Sequence, residues 1–175
     1  MVPETVWPEA LNETNSGKEL YRNYLIPITM VISIMVLLIN LINYNFWQAT
    51  GLTIINLIAM LIGNWFAYLI TREYLCRKLS FDTNLALNLT VYSGVIFIIF
   101  HSIGNALGNI FLGQLFTLLS FPFIRTLYKG LGQIPRLHPG QKTNILVISS
   151  LAIICIPVII NQLLMIIFGI SAFNI

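Results

Sequence analysis

The sequence predicts an all-α polytopic membrane protein with five transmembrane helices, its N-terminus cytoplasmic and its C-terminus outside. Three observations carry that prediction. First, 57% of the 175 residues are hydrophobic, only 9% are charged, and the mean hydropathy is +0.85. A soluble domain is about 25% charged. So few charges cannot cover a globule of this size, which argues against a soluble enzyme, a disordered tail or a secreted disulfide scaffold. Second, the charges fall in three clusters: Glu4, Glu9, Glu13, Lys18, Glu19 and Arg22; Arg72, Glu73, Arg77, Lys78 and Asp82; and Arg125, Lys129, Arg136 and Lys142. Third, the runs 23–71, 83–124 and 143–175 are free of charge.

Helix rise converts those runs into crossings. A hydrocarbon core of about 30 Å takes roughly 20 helical residues. The first run fits two spans, the second two, the third one. They are expected near 25–44, 51–71, 85–100, 105–124 and 145–170, preceded by a cytoplasmic amphipathic lead over 1–24. Continuously apolar runs favour helices over the alternating strands of a barrel. An odd count brings all three charged clusters to one side. Lys and Arg in short loops stay cytoplasmic, so that side is the inner one. The other side then holds the loops 45–50 and 101–104 and the tail 171–175, all without Lys or Arg.

In the lead segment, Trp7 and Pro8 open a short interfacial helix or lie in a tail that touches headgroups. The first apolar run is too long for a cleavable signal. Cys76 in an inner loop and Cys155 in the fifth span are not expected to pair. Pro27, Pro122 and Pro157 each remove a backbone donor and can kink a helix.

No Asp, Glu, Lys or Arg lies at the centre of any span, which argues against proton-coupled transport and voltage sensing. The spans carry neutral amides instead. Asn40 lies on the first, Asn56 and Asn64 on the second, Asn88 on the third, Asn105, Asn109 and Gln114 on the fourth, and Asn161 and Gln162 on the fifth. Helices in lipid associate through small residues and interhelical hydrogen bonds. Gly63-x-x-x-Ala67 and Gly104-x-x-x-Gly108 are pairs of that kind. The amides therefore read first as packing of a bundle or oligomer, and second as the lining of a polar pathway. His101 and His138 are expected on opposite faces and cannot share a metal. No phosphate-cradling loop, nucleophile–base pair or carboxylate pair is present. The expectation is no enzyme, no cofactor and no nucleic-acid partner. The basic residues Arg72, Arg77, Lys78, Arg125, Lys129, Arg136 and Lys142 form a cytoplasmic face suited to anionic lipid headgroups.

The chain resembles the Yip-domain family (Ypt-interacting proteins and their bacterial relatives). The resemblance is carried by Val6-Trp7-Pro8-Glu9, by Tyr24-Leu25-Ile26-Pro27, and by a hairpin ending in the basic stretch 72–78. It continues through Ser80-Phe81-Asp82, Val91-Tyr92-Ser93, the stretch 123–131, Ile134-Pro135-Arg136 and Lys142. It implies a five-helix membrane domain with a cytoplasmic N-terminus, in the compact bacterial branch and so in a bacterial inner membrane. The chain lacks the long N-terminal region and the Asp-Leu-Tyr-Gly-Pro stretch of eukaryotic members, so Rab GTPase binding is not carried over. Gly94, Val95 and Ile96 stand where many members carry a proline. Two functions follow as expectations. One is a non-catalytic scaffold or adaptor contacting lipid headgroups, a membrane partner protein or a second copy. The alternative is a small channel or transporter for ions or small solutes, lined by the asparagines.

Overall fold

A computed structural model describes Trp7 and residues 17–78, 83–108, 110–134 and 137–169. Every regular element among them is helical. A short helix α1 (Gly17–Leu20) passes through a π-helical stretch, Tyr21–Leu25, into α2 (Ile26–Asn43). Pro27 sits in the first turn of α2, where its missing N–H costs nothing. Then follow α3 (Phe46–Glu73), a second π-helical stretch (Tyr74–Lys78), α4 (Thr83–Leu107), α5 (Phe111–Leu118), α6 (Pro122–Gly132) and α7 (Pro139–Ile167).

Four continuous helical stretches are long and apolar enough to cross a bilayer: Tyr21–Asn43, Phe46–Cys76, Thr83–Leu107 and Pro139–Ile167. They overlap the expected first, second, third and fifth spans; most ends are extended by two to seven residues, while the first and fifth close one and three residues early. The fourth is different. Residues 105–124 do not form one helix. Asn105 still belongs to α4, so the expected turn at 101–104 is helical, and the chain reverses at Gly108, whose φ is +68°. Only glycine takes that conformation without strain. The returning segment is broken between α5 and α6. The turn there ends at Pro122, which opens α6, and Ser120 donates a hydrogen bond from Oγ to the Thr117 carbonyl.

The two pieces nevertheless run back along α4. Gly113 meets the carbonyls of Gly104 and Gly108, Phe116 tilts against Phe100, Phe123 meets Phe97 edge-on, and Gly130 lies against Leu89. A Cβ added to Gly113 would stand 2.2 Å from the Gly108 oxygen, and one on Gly104 would stand 2.6 Å from Thr117 Oγ1. The α4–α5 hairpin closes because neither position has a side chain.

Helix α4 is the central post. Leu87, Leu89, Val91, Phe97 and Ile98 are buried on it, and Phe123, Leu127 and Leu131 of α6 pack into the same core. Helices α3 and α7 form the most extensive pair. Pro157, inside α7, lies over Gly63, where a Cβ would come within 2.5 Å of its ring. Nearer the other end, Thr71 Oγ1 donates to Ser149 Oγ at 2.9 Å. By contrast α2 is peripheral. Its outer face presents Met30, Val31, Ile34, Met35 and Leu38 to the surroundings, as a helix facing lipid does.

Trp7 is 4% exposed, edge-on to Tyr92, with its ring 3.0 Å from where a Cβ on Gly130 would be. The expectation of a headgroup anchor is therefore corrected: Trp7 fills the core beneath α6. The rest of 1–16 lies outside the described residues.

Candidate functional site

Two polar regions lie at opposite ends of the bundle. One is marked by the basic clusters. In α6, Phe123, Leu127, Gly130 and Leu131 are buried while Arg125 and Tyr128 are exposed. Spacings of three and four residues separate an apolar stripe from a polar one, the pattern of a helix riding on a core. Lys142, in the first turns of α7, places its ammonium 5.0 Å from the centre of the Tyr128 ring. Arg72 is exposed at the end of α3, beside Glu73, and Lys129 is half-buried. The side chains of Arg77 and Lys78, and the whole of Arg136, lie outside the described residues.

Between the ends, the amides close helix contacts. Asn64 is 2% exposed; it accepts from Tyr21 Oη at 2.8 Å and donates from Nδ2 to the Thr90 carbonyl at 3.5 Å. Gly94 makes room for it, since a Cβ there would lie 2.2 Å from Asn64 Nδ2. Asn88 is fully buried on α4. Thr29, Thr90 and Ser93 spend their hydroxyls on carbonyls of their own helices one turn back, Leu25, Ala86 and Leu89.

The second polar region is a cavity of about 40 Å³ at the other end. Five amide or hydroxyl residues from four helices line it: Asn40 of α2, Asn56 of α3, Ser102 and Asn105 of α4, and Asn161 of α7, with Tyr44 beside them. Val36, Leu52, Ala106 and Met165 complete the wall. Asn40 donates from Nδ2 to Thr53 Oγ1 at 3.2 Å, and Asn161 donates to the sulfur of Met165 at 3.8 Å. Asn56 and Ser102 are 4% and 1% exposed, and Asn56 Oδ1 and Ser102 Oγ have no hydrogen-bond partner among the described residues. Asn105 is exposed and opens one side.

The structure thus sorts the amides singled out from sequence. Asn40, Asn56 and Asn105 meet at this cavity, Asn64 and Asn88 are sealed deeper in the bundle, Gln114 is exposed on α5, and Asn109 lies outside the described residues. Tyr44 and Ser102 were not singled out. Tyr44 closes the first expected span and Ser102 falls in what reads as a turn, so only the extension of α4 brings the hydroxyl inside.

Among the described residues, no three His, Cys, Asp or Glu side chains group to hold a metal. His101 stacks on Phe97 with centroids 4.7 Å apart. Cys76 and Cys155 are free thiols. No family model matches the chain, and no curated protein or solved structure compares significantly with it.

Proposed function

We propose that this protein is a non-catalytic membrane scaffold of the Yip type, which crosses a bacterial inner membrane five times with its N-terminus inside and engages anionic lipid headgroups or a membrane partner through its basic inner end. The observation that carries the reading is α6. Its apolar face is buried in the core, and this holds Arg125 and Tyr128 outward on a fixed helix at the end where Arg22 and Arg72 are also exposed. Charges near an anionic surface contribute about 1 kcal/mol each. A rigid row of them concentrates that attraction on one patch of lipid. The broken α5–α6 segment supplies the fifth crossing, and the odd count keeps every basic cluster on one border.

The packing supports the scaffold over the channel. A solute path would need Asn56, Asn64 and Asn105 along one wet surface. Asn64 instead joins Tyr21 to the backbone of α4, apart from the cavity that Asn56 and Asn105 share.

The test is lipid selectivity in nanodiscs of mixed phosphatidylglycerol and phosphatidylcholine, read by native mass spectrometry. Arg72→Gln and Arg125→Gln together are expected to lower phosphatidylglycerol retention about thirtyfold, at roughly 1 kcal/mol per charge. Unchanged retention sinks the reading. Solute flux from proteoliposomes, lost in Asn64→Leu, would establish the channel instead.

A further inference from the structure

The cavity at the end opposite the basic clusters is not used by the scaffold reading, and its chemistry is specific enough to name an occupant. Its volume of about 40 Å³ holds roughly two or three water-sized groups. Asn56 and Ser102 bring to it two buried oxygens without partners. Buried polar atoms of this kind are rarely left unpaired, because the desolvation they suffer is not returned. Asn56 Oδ1 can only accept a hydrogen bond, so its missing partner is a donor, and Ser102 Oγ can accept from the same group.

Backbone polarity adds a sign. Asn40 lies in the last turn of α2, Ala106 in the last turn of α4 and Met165 in the last turn of α7. Each of these termini carries about half a negative charge, felt within roughly one turn. The only opposing terminus in the wall is that of α3, and Leu52 and Asn56 lie beyond its first turn. The field therefore favours positive charge. Among the described residues no carboxylate lines the cavity, which disfavours a divalent ion. The apolar side chains of Val36, Leu52 and Met165 lie beside the amides, where a bare metal ion would need further oxygens. A donor group on a short alkyl stem satisfies both halves of the wall.

We infer that this cavity binds a small primary ammonium group, its N–H donors on Asn56 Oδ1 and Ser102 Oγ and its alkyl stem along Val36 and Met165. A soluble alkylamine and the ethanolamine headgroup of a lipid present the same chemistry. The site lies at the other end of the bundle from α6, so its test is separate from the lipid-selectivity test above.

The experiment titrates ethylammonium chloride against the full chain in phosphatidylcholine nanodiscs and follows the thermal unfolding midpoint. Ethanol and sodium chloride at matched concentration serve as comparisons. A ligand that binds only the folded form raises the midpoint. A rise that saturates with ethylammonium alone is expected, and at least tenfold more ligand should be needed in Ser102→Ala and in Asn56→Leu. Ser102→Ala removes only a hydroxyl, so its unliganded midpoint checks that the bundle is intact. Equal curves for ethanol or sodium, or wild-type curves in both variants, overturn the inference. Repeating the titration in phosphatidylethanolamine nanodiscs assigns the source. Loss of the added effect there marks the lipid headgroup as occupant, and an unchanged effect marks a soluble amine.

Discussion

The two ends of this bundle solve different problems with the same helices. At the basic end, charged side chains surround a tightly filled core in which Trp7, Leu89, Tyr92 and Gly130 interlock. At the other end the rim carries no charge and large apolar side chains, with Ile42, Trp47, Phe111 and Ile166 each more than 70% exposed beside Asn43, Asn45 and Gln48. Just within it, amides from four helices surround space rather than one another. One end is closed by shape, and at the other Asn56 Oδ1 and Ser102 Oγ stay unspent around a cavity. The comparison teaches that the same residue type, asparagine, closes a contact at one depth and lines an opening at another.

That contrast can be broken most forcefully at the basic end. Trp7→Ala is expected to cost about 3 kcal/mol or more, because a large buried aromatic is removed from a core that cannot fully collapse. Chemical denaturation in mild detergent measures it, and a loss below about 1 kcal/mol would mean that Trp7 is not part of the core. Gly130→Val attacks the same seam from the other side. Its new Cβ would stand 2.7 Å from Leu89 and 3.0 Å from the Trp7 ring, and overpacking of this kind costs about 1–3 kcal/mol. The double variant with Trp7→Ala should recover part of that loss.

The asparagines sharpen the comparison. Asn64→Leu orphans the Tyr21 hydroxyl and is expected to destabilise by about 1–2 kcal/mol. Asn56→Leu, eight residues earlier on the same helix, removes an oxygen without a partner. With no ligand added, it should be neutral or slightly stabilising. Equal costs at both positions would erase the distinction between a spent amide and an unspent one. The smallest effect belongs to Arg125→Gln. It should change stability by less than about 0.5 kcal/mol, while phosphatidylglycerol retention falls about fivefold, at roughly 1 kcal/mol per charge near the surface.

Much of the architecture was legible in the sequence because charge and length are one-dimensional quantities. Arg22, Arg72 and Asp82 bound apolar runs whose lengths count helices directly. The α2–α3 turn is tighter than the expected loop 45–50: Asn45 caps α3 by accepting from the Gln48 N–H at 2.9 Å, and residues 46–50 are already helical. The second hairpin was harder. Between Asp82 and Arg125 no charge marks the reversal, and Gly104 reads equally as a turn residue and as a packing residue. It is the latter, because Thr117 and Gly113 sit where its side chain would be. Likewise Gly94 reads as a missing proline, whereas its role is to admit Asn64 from the neighbouring helix. The cavity was half legible. Asn40, Asn56 and Asn105 stand out as polar residues in apolar runs, but their convergence with Ser102 depends on how four helices align lengthwise, which no single stretch encodes.

The unequal rods have a further consequence. At about 1.5 Å per residue, Phe46–Cys76 and Pro139–Ile167, with 31 and 29 residues, are roughly 46 and 43 Å long. Tyr21–Asn43, with 23, is about 34 Å. A slab about 30 Å deep cannot hold the longer two upright. They lean, or they stand proud of the hydrocarbon as a stiff pair. Where they stand proud, Arg72 and Lys142 ride on helical stalks, at a height set by backbone rather than by the reach of a flexible side chain.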